Sequence, residues 1–134
     1  MSQGVTGPQG VTGQVVLVID DDSAMRFLCR VNLELDGYRV VEAGTLDEAR
    51  ALLESEPVAV VLLDLQVGLE RGDALLAELR VREPRIPVVV VTGSADVDSG
   101  ERRIEADAVL AKPFTIDAML ATVRSLATGA PVQS

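Results

Sequence analysis

The sequence predicts a single α/β domain, a doubly wound five-stranded parallel sheet with helices on both faces. Three observations predict it. Short apolar runs alternate strictly with helical patterns along the chain. The strand runs are apolar throughout rather than at every second residue, as in strands covered on both faces. At 134 residues and 48% apolar content, the chain can fill one core without disulfides or a structural metal, and has no room for two.

The elements follow in order. Residues 15–19 (VVLVI) read as a buried strand that stops at Asp20, Asp21 and Asp22. Asp22 or Ser23 can cap a helix whose apolar positions Ala24, Leu28, Val31 and Leu35 recur at helical spacing until Gly37. Residues 38–43 form a second strand, and Thr45 to Glu48 is a capping box opening a helix with Leu46, Ala49, Leu52 and Leu53 inward. Residues 58–63 (VAVVLL) are the third strand, ending at Asp64, and a third helix spans 72–81. Residues 86–91 (IPVVVV) are the fourth strand, ending at Thr92; residues 108–111 are the fifth, ending at Lys112. Thr115 caps a last helix with Ile116, Leu120, Val123 and Ala127 on one face. Residues 93–107 carry only Val97 and Ile104 as large apolar anchors, which predicts a short or weak fourth helix there.

Residues 1–13 repeat GVTG and place Gly at every third position from Gly4 to Gly13. So few triplets cannot hold a collagen helix, and the segment reads as a flexible tail. The domain then spans 14–127, and 128–134 reads as a C-terminal tail or the start of a linker.

Composition removes several classes of function. The chain has no His, which excludes Ser-His-Asp hydrolysis and the usual zinc sites. One cysteine, Cys29, forbids an intramolecular disulfide and points to a reducing, cytoplasmic setting; it reads as a small buried hydrophobe. The net charge of -9 argues against a nucleic-acid partner. No apolar stretch near residue 1 resembles a signal peptide, and no apolar run approaches membrane length. Eleven of the 12 cationic side chains are Arg, so the one Lys, Lys112, stands out.

In an open parallel sheet, ligands bind beyond the carboxyl ends of the strands. There this sequence places Asp20, Asp21 and Asp22, then Asp64, Thr92 and Lys112. Carboxylates crowded from separate strands repel unless a hard cation joins them, and oxygen ligands suit Mg²⁺. A carboxylate beside such a metal can attack a phosphoryl group and hold it as an acyl phosphate.

VLVIDDDS, VVLLDLQ, VVVVTGS and VLAKPF, in this order and spacing, resemble the signatures of response-regulator receiver domains of two-component signalling. The resemblance covers roughly residues 14–127 and implies a flavodoxin-like sheet of order 2-1-3-4-5. It implies Asp64 as phosphoacceptor, Mg²⁺ held by Asp21, Asp64 and the backbone carbonyl of Gln66, and Asp20 acting through a water. It implies that Thr92 and Lys112 contact the phosphoryl group and that Pro113 holds the following turn, often through a cis bond. Gly72 matches the family glycine eight residues past the acceptor. Asp22 reads as a helix cap. The implied donor is a histidine kinase or a histidine phosphotransfer protein; the downstream protein is unspecified, and neither nucleic acid nor membrane is expected as a partner.

The sequence departs from the family in three places. Val67 and Gly68 replace a frequent Met-Pro, which predicts a looser loop after Asp64. Val109 stands where many members carry Tyr or Phe, and the segment before Lys112 is short and polar. The last two predict that activation orders or shifts residues 93–107 rather than burying an aromatic ring.

Two other functions fit part of the pattern. Asp20 to Asp22 superficially match the D-x-D strand end of haloacid-dehalogenase-type Mg²⁺ phosphatases, but those enzymes need a later acidic pair, and only Asp117 follows Lys112. A receiver-like scaffold that is never phosphorylated is the other; the complete acceptor set argues against it. The domain is therefore expected to be a phosphoacceptor, not an enzyme.

Overall fold

The computed structural model describes residues 13–93 and 106–127. Its elements are β1 (Val15–Ile19), α1 (Ser23–Leu35), β2 (Arg39–Ala43), α2 (Leu46–Ser55), β3 (Val58–Asp64), β4 (Gln66–Val67), β5 (Glu70–Arg71), α3 (Asp73–Arg80), β6 (Val88–Gly93), β7 (Ala108–Lys112) and α4 (Ile116–Ala127). The main sheet has the order β2-β1-β3-β6-β7, every pairing parallel. Counting only its five strands, this is the expected flavodoxin-like order 2-1-3-4-5. The strands β4 and β5 form a separate antiparallel hairpin.

Strand periodicity divides the core in two. In β1, Val15, Leu17 and Ile19 face one cluster with Leu46, Ala49 and Leu53 of α2 and Leu75 and Leu79 of α3. Val16 and Val18 face the other, with Cys29 and Leu33 of α1 and Met119 and Val123 of α4. Because both faces are covered, β1 is buried at all five positions.

The caps are as the sequence reads, with one adjustment. Asp22 accepts the N–H groups of Ala24 and Met25 at 2.9 and 3.3 Å, Thr45 that of Glu48 at 3.1 Å, and Thr115 that of Ala118 at 3.0 Å. Glu48 reaches back to the N–H of Gly44 at 2.8 Å, one residue before the cap, so the box is displaced by one position.

Four expectations need correction. The buried line of α1 is Cys29 and Leu33, with Met25 half-buried, whereas Leu28 and Leu35 are 44% and 73% exposed. Apolar residues surround most of this helix, so spacing alone cannot choose a face. Arg26 and Arg30 choose it, since both must reach Glu42 on β2, at 3.1 and 2.6 Å. In α4, Met119 joins Val123 as a fully buried residue, while Ile116, Leu120 and Ala127 lie at its flanks.

The other two corrections concern strands and loops. β6 begins at Val88, not Ile86, because Pro87 has no N–H to donate and the N–H of Val88 is held by the Asp107 carboxylate at 2.8 Å. The loop after β3 is not loose. It turns at Gly68 (φ +62°), buries Val67 and is clamped by the Gln66 side-chain amide, which donates to the Gly68 and Glu70 carbonyls at 2.9 and 3.4 Å. The predicted short or weak fourth helix falls on residues 94–105, outside the described residues.

Candidate functional site

Strand register assembles the rim. Ile19 pairs with Leu63, Asp64 with Val91, Thr92 with Ala111 and Gly93 with Lys112. Residues that close four neighbouring strands therefore meet at one edge. Asp20, Asp21 and Asp64 each bring a carboxylate oxygen within 4.8 Å of the others. Asp20 and Asp64 are buried, and Asp21 is exposed.

Each buried carboxylate is fixed by named donors. Asp64 Oδ1 accepts the N–H of Gln66 at 3.0 Å, and Oδ2 accepts Lys112 Nζ at 3.1 Å. Asp20 Oδ1 accepts the N–H of Asp22 at 2.9 Å, and its Oδ2 lies 3.7 Å from Lys112 Nζ. Gly72 is required by close packing: a Cβ there would lie 3.0 Å from the Asp64 carbonyl oxygen and 3.1 Å from the Leu63 side chain. Lys112–Pro113 is a cis peptide bond. Thr92 is buried at the end of β6, its hydroxyl 3.5 Å from the Gly93 carbonyl.

The electrostatics follow from this crowding. Burial pushes the Asp20 carboxyl above its ordinary value, and the Asp64 charge pushes the same way against the Asp22 N–H and Lys112. Burial pulls Lys112 down, but the Asp64 hydrogen bond and the charges of Asp64, Asp20 and Asp21 together outweigh it and raise it. When ionised, three carboxylates against one ammonium leave two negative charges uncompensated, equal in size and opposite in sign to the charge of a divalent cation. Hard oxygen donors so grouped fit Mg²⁺ better than a soft metal. Beneath them the floor is apolar, with Val18, Met25, Cys29, Leu62, Val91 and Phe114 around Asp20 and Asp64. Burial pushes the Cys29 thiol up to about 11, so it sits there as a hydrophobe rather than a thiolate.

The structure thus brings Asp20, Asp21, Asp64 and Lys112 into one cluster, sets Thr92 on the adjoining strand end, and places Gln66 two residues beyond Asp64. Asp22 is engaged as a cap. Sequence reasoning missed Arg26, whose guanidinium Nη1 donates to the Asp20 carbonyl oxygen at 2.6 Å. Its position six residues after Asp20, inside a helix, gives no local signal of that contact.

Comparison with known proteins agrees with this architecture. The family described as "Response regulator receiver domain" matches residues 16–124. The alginate biosynthesis transcriptional regulatory protein AlgB of Pseudomonas aeruginosa is 37% identical over 114 residues, covering 83% of this chain and 25% of that protein. The chain spans between 23% and 51% of the length of such curated relatives. Among solved structures, a CheY-like response regulator receiver domain protein from Methanospirillum hungatei superposes with a TM-score of 0.75 at 27% identity, covering 88% of this chain and 96% of that one. A response regulator from Burkholderia pseudomallei, solved with a phosphorylated aspartic acid, calcium ion and citrate, gives a TM-score of 0.69 at 30% identity, covering 87% and 69%. With its matching sheet order and acidic rim, the chain belongs to the response regulator receiver domain family of two-component systems.

Proposed function

We propose that this receiver domain takes a phosphoryl group onto Asp64 from the phosphohistidine of a histidine kinase or histidine phosphotransfer protein, and signals through protein contacts. The observation that carries the reading is the pairing of buried Asp64 with Lys112 beside Asp20 and Asp21. Asp20, Asp21, Asp64 and the backbone carbonyl of Gln66 would hold Mg²⁺. When bound, the metal supplies positive charge to the phosphoryl oxygens and relieves the repulsion among the carboxylates.

The remaining chemistry belongs to the chain's own side chains. An oxygen of Asp64 attacks phosphorus, the P–N bond to the donor imidazole breaks, and an acyl phosphate forms on Asp64. The Gln66 N–H orients Asp64 through Oδ1. Lys112 already sits at the other oxygen and can follow the charge onto the phosphoryl group as a compact ammonium. Thr92, at the end of the neighbouring strand, supplies a hydroxyl donor. The apolar floor keeps bulk water from the buried side of the carboxylates.

The donor surface lies on α1. Ala24, Leu28, Val31 and Leu35 recur at 4-3-4 spacing, the seam of a helix that packs on another helix. Ala24, Leu28 and Leu35 of this set are exposed, and Phe27 beside them is 57% exposed. Leu28 and Met25 also line a cleft with Lys112, Pro113 and Phe114, which joins the seam to the acidic rim. A helical phosphohistidine donor fits there.

The receiver unit is taken as 14–127, between a tail at 1–13 and a tail or linker start at 128–134, working in the cytoplasm. Relatives such as AlgB are named as transcriptional regulators, and this chain corresponds to a quarter of that protein's length. Any DNA contact would fall to an output part beyond the receiver.

Incubation with a small phosphodonor and Mg²⁺ tests the proposal. Wild type should become labelled and Asp64→Asn should not, because an amide cannot form the acyl phosphate. Wild-type protein that takes up no label would favour a scaffold. Repeated turnover of a generic phosphate ester would favour a phosphatase.

A further inference from the structure

We propose that Arg26 is a positioning residue for the acidic rim: it fixes the backbone of Asp20, and through it the carboxylates that would hold the cation. The proposal rests on the metal assignment above.

The geometry is specific. The Asp20 peptide is tied on both sides, its N–H donating to the Ala43 carbonyl at 3.1 Å and its C=O accepting Arg26 Nη1 at 2.6 Å. The same guanidinium donates from Nε to Glu42 Oε1 at 3.1 Å. Glu42 is held in turn by Arg30 Nε at 2.6 Å on its other oxygen. Gly44 leaves the slot in which the guanidinium lies, since a Cβ there would come within 3.0 Å of Arg26 Nη1. One rigid fork therefore joins α1, the end of β2 and the turn carrying Asp20 and Asp21. The Arg26 side chain is only 19% exposed, and its ion pair is with Glu42, not with the acidic cluster.

That distinction sets the function. A cation aimed at the cluster would compete with a metal for the carboxylates, as Lys112 does. Arg26 instead bonds the carbonyl and leaves all three carboxylates available. Lys could not replace it, because one ammonium on a flexible stem does not present two donors fixed in different directions, one to the Asp20 carbonyl and one to Glu42. Groups that orient metal ligands from behind are worth tenfold or more in metal affinity.

The test is calorimetric Mg²⁺ binding to Arg26→Lys, Arg26→Gln, Glu42→Gln and Arg30→Gln, each checked for folding by circular dichroism and for metal-free stability by urea unfolding. Arg26→Gln and Arg26→Lys should bind Mg²⁺ about tenfold more weakly. Glu42→Gln should weaken it severalfold and add little to an Arg26 variant. Arg30→Gln, which touches Glu42 but not Asp20, should stay within about twofold of wild type. Gly44→Ala, which crowds the guanidinium without removing it, should also weaken binding and guards against Arg26 variants that fail to fold. Arg26 variants with a lower urea midpoint but wild-type affinity would make the role purely structural and overturn the proposal. If wild type itself binds no Mg²⁺, the metal assignment fails first and this role falls with it.

Discussion

Lys112 Nζ stands 3.1 Å from Asp64 Oδ2 and 3.7 Å from Asp20 Oδ2, so one ammonium bridges carboxylates delivered by two strands. In the metal-free domain this ammonium partly offsets a repulsion that would otherwise go unanswered. It also competes for the oxygens a cation would use. Lys112→Ala should therefore bind Mg²⁺ at least as tightly as wild type while taking up much less phosphoryl label. Calorimetry and labelling on the same preparation check both; weakened Mg²⁺ binding would place Lys112 in a supporting role for the metal instead.

Mg²⁺ should stabilise the fold by mass action. At a hundred times the dissociation constant, a cation bound only by the folded state adds about 2.7 kcal/mol, which is several degrees in melting temperature for a chain of this size. Asp21→Ala removes one carboxylate and should lose most of that gain. A thermal melt with and without millimolar Mg²⁺ measures it, and equal shifts in both proteins would remove Asp21 from the site.

The raised pKa of Asp20 carries a pH signature in the absence of metal. A carboxyl whose folded value is raised contributes fully below its unfolded value, here 3.8, and that contribution is lost as pH rises through the folded value. Metal-free wild type should thus lose stability from this group as pH climbs above 3.8. Asp20→Asn, which carries no charge to desolvate, should lack the loss and be the more stable protein at pH 7. Urea midpoints for the pair across pH 4 to 8 should diverge; a constant difference would remove burial of Asp20 as the cause.

The orientation of α1 gives a sharp contrast between neighbouring leucines. Leu33 is fully buried, so Leu33→Ala should cost about 2–5 kcal/mol. Leu35→Ala, on the exposed side, should change stability by less than about 0.5 kcal/mol. Met119→Ala on α4 should behave like Leu33→Ala. Denaturant unfolding decides it, and a large loss for Leu35→Ala would restore the opposite face.

These contrasts show what sequence can and cannot carry. The all-apolar run at 15–19 has one meaning, because only a strand covered on both faces needs five buried residues in succession. Asp20, Asp64 and Thr92 were legible because each ends such a run, Lys112 because it ends the apolar residues 108–111 of the partly exposed edge strand β7, and strand ends in a parallel sheet share an edge. The face of α1 was not, since apolar residues at two phases satisfy the same period and tertiary ion pairs to Glu42 decide between them. The hairpin at 66–71 was hidden for a similar reason. Gly68 announces only a turn, whereas the clamp is a side-chain amide from Gln66 reaching two carbonyls along its own loop. The Arg26 contact depends on how α1 returns over β2, which no local pattern encodes.

The central claim is that Asp64 receives the phosphoryl group, and mapping the acyl phosphate tests it most directly. Wild-type protein treated with a small phosphodonor and Mg²⁺ would be weighed intact, then reduced with borohydride and digested to locate the modified carboxyl. The account predicts one phosphoryl group per chain, carried on Asp64, absent from Asp64→Asn and retained in Asp22→Asn, whose side chain still caps α1. Full stoichiometric label on the Asp64→Asn protein, or reduction mapped to Asp20 or Asp21 in wild type, would contradict it.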